Sequence, residues 1–171
     1  MEAQQLLLAN FDEALRQLQR YVALGLGTSV SALALSFVSR GGTGEPQVTV
    51  PGTFVAIDPQ AARALLLAVC VLVGAMASYA AESANVIAAR LASSPDLLDA
   101  ARTFPSFATS PYPGVRYAAA VLPLLFSLLA IIIPILEQQP RTWTALWVGL
   151  IFLGSAYVPL AIEVRKPVGM L

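Results

Sequence analysis

The chain has 171 residues, 57% of them hydrophobic and 12% charged, with a mean hydropathy of +0.73 and a formal net charge of zero. A soluble domain of this length has no interior large enough to hide that much apolar surface. The balanced charge, with no basic cluster beyond two residues, gives no support for nucleic acid as a partner. Histidine is missing altogether, which removes the usual haem ligand, the commonest metal ligand and the usual general base. No nucleophile elbow, phosphate loop or CxxC pair stands in for it. Neither catalysis nor a bound metal or cofactor is therefore expected.

In chain order, residues 2–20 ("EAQQLLLANFDEALRQLQR") place Leu7, Phe11, Leu15 and Leu18 at spacings of four, four and three. That is the pattern of an amphipathic helix, expected to lie along a membrane surface ahead of the first span; docking to a partner is the competing use. A charge-free run then gives the first span, about 21–39. The "ALA" at residues 32–34 resembles a signal-peptidase site, but Asp12 and Glu13 stand in the region before it, so the run is read as an uncleaved anchor. Three further apolar runs predict spans at about 61–82, 117–136 and 142–162, each close to the ~20 residues that cross a bilayer core. The expected fold is all-α: a polytopic membrane protein of one domain, with four transmembrane helices in a bundle.

Lys and Arg fix the expected orientation. Arg16, Arg20, Arg90, Arg102, Arg116, Arg165 and Lys166 fall on one side of the four spans, and only Arg40, Arg63 and Arg141 on the other. The positive-inside rule then puts both termini and the loop 92–116 in the cytoplasm, with the loop 40–60 outside. That outer loop offers two β-prone runs, 47–50 and 53–57, around Pro51-Gly52, a pair suited to a type II turn. Asp58-Pro59 has the form of a cap and first-turn proline opening the second helix.

Nothing in the sequence stops that second helix before about Ala92. At 1.5 Å per residue it would be about 50 Å long, well beyond the bilayer core, so it must protrude into the cytoplasm. Counted from Arg63, the inner interface falls near Glu82, in "YAAESANVIAARL". Glu82 is accordingly read as a carboxylate at the water boundary. The sharper alternative is a functional acid turned into the bundle, with Asn85 beside it, because ionisable groups inside a membrane usually mark pathways or relays.

The inner loop opens with Ser94-Pro95-Asp96, which predicts a short helix to about Arg102. Three prolines then exclude regular helix in "TFPSFATSPYPGVR", where Phe104, Phe107 and Tyr112 are expected to pack under the bundle, with a partner contact as the alternative. The third span carries Pro123 and Pro134 and the fourth Pro159; Pro123 lies deep enough to predict a kink. Trp143 and Trp147 suit an interfacial belt at the outer end of the fourth span.

Two stripes of small residues recur at helical spacing: Gly25, Ser29, Ala32 and Ser36 in the first span, and Gly74, Ser78, Ala81 and Asn85 in the second. Small residues let backbones approach closely in lipid, so the first two helices are expected to form the tightly packed pair. Cys70, the single cysteine, is read as a small hydrophobe within the second span. The functional expectation is a non-catalytic integral subunit or scaffold of the plasma or inner membrane, in contact with lipid and with other subunits or copies of itself. The alternative is an oligomeric channel or transporter component lined by the first-span hydroxyl stripe, Thr28, Ser29, Ser31 and Ser36, with Glu82, since one four-helix chain is too thin to enclose a pore.

Overall fold

No proline interrupts residues 2–38, and the chain there forms one unbroken helix, α1 (Glu2–Val38), of 37 residues, about 55 Å long. The computed structural model describes residues 2–38, 48–49, 56–91, 93–103, 106–135 and 143–165. After α1 come a two-residue pair β1 (Val48–Thr49) and β2 (Ala56–Ile57), then α2 (Pro59–Leu91), α3 (Pro95–Arg102), α4 (Pro113–Ile135) and α5 (Trp143–Arg165). Four helices, all but α3, are long and apolar enough to cross a membrane.

The amphipathic segment and the first span are thus one element rather than a surface helix followed by a span. A single seam explains why. Phe11, Leu15, Leu18, Gly25, Ser29, Ala32 and Ser36 are all buried, and half-buried Val22 fills the remaining place in an alternation of four and three residues. On α2 the buried residues Cys70, Gly74, Ala77, Ala81, Ala84, Ala88 and Leu91 follow the same alternation. A mean period of 3.5 winds two helices around each other with a left-handed twist. The pair is antiparallel: Phe11 and Leu15 cluster with Ala84, Ala88 and Leu91, whereas Gly25 lies beside Val73.

The second hairpin, α4 and α5, packs on the first. α1 adjoins α2 and α4, and α5 adjoins α2 and α4, so the helices follow one another around the bundle as α1, α2, α5, α4. Contacts of Gly25 with Pro123 and Ser36 with Ala130, and of Ser78 with Ala156 and Asn85 with Glu163, show that α4 runs parallel to α1, and α5 to α2. Two buried clusters result. One fills the middle of the bundle around Cys70, Ala77, Ala120, Leu153, Tyr157 and Leu160. The other closes one end, where α3 contributes Ala101 to Phe11, Leu15, Ala84, Ala88 and Leu91.

Local signals account for the element ends. Asp58 caps α2, its Oδ2 accepting the backbone N–H groups of Gln60 at 3.1 Å and Ala61 at 3.2 Å. Helix α3 spans the expected residues, yet Ser94 makes no side-chain cap bond; its carbonyl instead accepts the Leu97 N–H. Helix α4 begins at Pro113, four residues ahead of the expected span, because proline at the first helical position gives up an N–H that has no partner there anyway. Pro123 and Pro134 both lie inside it. The outer-loop pairing is antiparallel, Val48 opposite Ile57 and Thr49 opposite Ala56; the Pro51-Gly52 turn lies outside the described residues.

Candidate functional site

Polar groups from four helices meet at the centre of the bundle. The Tyr157 hydroxyl, from α5, donates to the Cys70 carbonyl at 3.1 Å and lies 3.1 Å from Cys70 Sγ. The same sulfur lies 3.2 Å from Ser127 Oγ on α4 and reaches toward the Gly25 carbonyl of α1 at 3.7 Å. Tyr157 is 2% exposed, and Cys70 and Ser127 are fully buried. Cys70 is therefore more than the small hydrophobe expected. Its sulfur lies within hydrogen-bonding reach of two neighbouring hydroxyls.

The small-residue stripes prepare the seat of this tyrosine. A methyl group at Gly74 would lie 2.6 Å from Tyr157 Cε2 and 2.8 Å from Cζ, and one at Gly25 would lie 2.7 Å from the hydroxyl oxygen. In a helix, the side chain of residue i+4 leans over the carbonyl of residue i. Glycine at 74 uncovers the carbonyl of Cys70, and the Tyr157 hydroxyl takes it. Gly25 and Gly74 thus serve the entry of α5 as well as the approach of α1 to α2.

Several hydroxyls of the spans are spent on carbonyls. Ser36 donates to Ala32 and across to Ala130, each at 3.2 Å. Ala130 stands four residues before Pro134, which has no N–H to give it, so Ser36 satisfies the carbonyl that the proline frees. Ser78 is shared between Gly74 at 3.0 Å and Ala156 at 2.6 Å. Ser29 bonds Leu26 at 2.9 Å within its own helix, and Thr28 bonds Leu24 at 2.9 Å and Gly25 at 3.1 Å. Ser31 faces outward, and Ala32 and Ala81 are buried. The hydroxyl stripe of α1 is therefore divided between the inside and the outside of the bundle.

The two polar residues of "YAAESANVIAARL" also part company. Asn85 Nδ2 donates to the Glu163 carbonyl at 3.1 Å and to Glu163 Oε2 at 2.8 Å. That carbonyl belongs to the last turn of α5. Glu82 is exposed, on an outer face it shares with Tyr79, Ser83, Val86 and Arg90. The structure does not bring Glu82 and Asn85 to one site. Phe107 packs against the central cluster, Tyr112 is 70% exposed, and Phe104 lies outside the described residues. Trp147 is exposed on α5.

Ser127, Tyr157 and Glu163 were not singled out by sequence reasoning. A lone phenol within a 23-residue apolar helix was the available signal, because a buried Tyr O–H needs a partner. Chemically the arrangement is glue: short donors on one helix answer carbonyls on another. Compared with family models, curated proteins and solved structures, the chain matches none.

Proposed function

We propose that the protein is a non-catalytic integral membrane subunit or scaffold, with both termini and the α3 end of the bundle in the cytoplasm. The observation that carries the reading is the use of the interior polar groups: Ser36, Ser78, Asn85 and Tyr157 all bond backbone of a neighbouring helix, and Tyr157 fills the axis at mid-depth. Polar groups paired in this way, among the described residues, support a packed interior rather than a lined path for an ion or substrate. Its large outward side chains, Trp147, Ile151, Phe152 and Ile162 on α5 with Leu122 and Leu125 on α4, suit lipid or the transmembrane helices of a partner. The bundle gathers Arg16, Arg20, Arg90, Arg116 and Arg165 at one end, which supports the cytoplasmic placement of that end. Glu82 then stands at the boundary between lipid and water.

Purification in mild detergent tests the reading. A stable hetero-complex is expected, together with no ion flux from the isolated protein in liposomes. A closed homo-oligomer that conducts would overturn it in favour of a channel built around Thr28, Ser31 and Glu82. Orientation is tested separately by single cysteines at Thr43 or Tyr112 in a Cys70→Ser background. An impermeant thiol reagent outside intact cells should label the first and spare the second, and the opposite pattern would invert the topology.

A further inference from the structure

At the end of the bundle away from α3, a groove of about 610 Å³ opens between α2, α4 and α5. Its size falls within the ~300–1,000 Å³ usual for small-molecule sites. Leu67, Val71, Ile131 and Leu153 form part of its apolar wall. Leu72, Val148 and Phe152 also line it while being 65%, 52% and 58% exposed, so it opens sideways, in the direction from which a bilayer lipid would enter. Among the described residues the mouth carries one polar and one basic side chain. Gln60 and half-buried Arg63, one turn apart at the start of α2, line it, and among the described residues Arg63 forms no ion pair. The nearby carboxylate of Asp58 caps α2 and also attracts Arg63 electrostatically, without a direct ion pair between them.

We propose that this groove is a binding site for one anionic phospholipid, its acyl chain against the apolar wall and its phosphate at Arg63. An apolar slot open to the bilayer with one guanidinium at its rim is complementary to a molecule that is greasy along its length and negative at its head. A zwitterionic lipid brings its own cation to the same place and forfeits part of that attraction. The site rests on the membrane placement of the bundle and not on a scaffold role, so it stands or falls without any protein partner.

The test uses the isolated protein in a Trp143→Phe background, which leaves Trp147, next to groove-lining Val148, as the fluorescent reporter. It is reconstituted in phosphatidylcholine vesicles containing a small fraction of lipid with brominated acyl chains, either phosphatidylglycerol or phosphatidylcholine. Brominated phosphatidylglycerol should quench Trp147 at about fivefold lower mole fraction. Arg63→Gln should abolish the preference and Arg63→Lys retain most of it. Ala68→Phe, which fills the groove from an exposed lining position, should abolish it as well, whereas Leu65→Phe, exposed outside the groove, should not. Equal quenching by the two lipids overturns the proposal. So does a preference that survives Arg63→Gln, and so does one that survives Ala68→Phe, which would place the anionic lipid elsewhere or show the groove already covered by the chain itself.

Discussion

The α1–α2 seam keeps one geometry along its length and changes its chemistry half-way. Toward the α3 end it is built of Phe11, Leu15 and Leu18 against Ala84, Ala88 and Leu91; past Arg20 it is built of Gly25, Ser29, Ala32 and Ser36 against Cys70, Gly74, Ala77 and Ala81. With the boundary placed at Glu82, the difference follows the solvent. In water, burying a large apolar side chain is itself the driving force. In lipid that force vanishes, and close backbone approach, dispersion and interhelical hydrogen bonds replace it. The lesson is that a repeat of seven sets how two helices cross, while the residues at its positions report what surrounds them.

The strongest way to break this comparison is Phe11→Ala. Removing a fully buried ring should cost about 3–5 kcal/mol if the end cluster is held by apolar burial. Hydrogen exchange should quicken in residues 5–20 and 84–91 and stay unchanged around Cys70. Equal quickening at Cys70 would show a single cooperative unit and erase the division. Next in size is Gly74→Ala, where the added methyl meets the Tyr157 ring at 2.6 Å. Overpacking of this kind costs about 1–3 kcal/mol, measured by unfolding in detergent, and combination with Tyr157→Ala should cost less than the sum of the two. Strict additivity would mean that Tyr157 does not occupy the Gly74 notch.

A smaller effect isolates the hydrogen-bond part of the lipid-side glue. Ser36→Ala leaves the Ala130 carbonyl with neither the serine nor the Pro134 amide, a loss of about 1 kcal/mol. In a Pro134→Ala background the helix supplies its own donor, so the same serine change should become nearly neutral. An undiminished loss there would mean that Ser36 acts through packing alone. Smallest is Glu82→Gln at the boundary itself. An exposed carboxylate contributes little, and stability, assembly and liposome flux should all match the parent protein. A clear flux defect would bring the channel reading forward.

The four apolar helices, the Asp58 cap, the α3 bounds and the closeness of α1 to α2 were legible in the sequence because each rests on local signals: hydropathy, a turn residue, a repeat. The collinearity of 2–20 with the first span was missed: Leu18, Val22 and Gly25 carry the four-three alternation across Arg20, and the charge at Arg16 and Arg20 does not end the helix. The meeting of Tyr157 and Ser127 with Cys70 was out of reach for another reason. Cys70 and Tyr157 are 87 residues apart, and no periodicity within one helix tells which residue of another will face it. Glu82 and Asn85 could not be separated from spacing alone, because three residues along a helix remain neighbours; only the position of α5 puts Asn85 on Glu163 and leaves Glu82 outside.

The notch at Gly25 and Gly74 also imposes an order on biosynthesis. The α1–α2 hairpin is made first and can close its seam from its own residues, but the groove it leaves over the Cys70 carbonyl stays open until α5 emerges with Tyr157. During that interval the nascent chain presents an unfilled notch at Gly25 and Gly74, where the Tyr157 ring and hydroxyl will sit. Tyr157 is in this sense the latch whose closing reports that the bundle is complete.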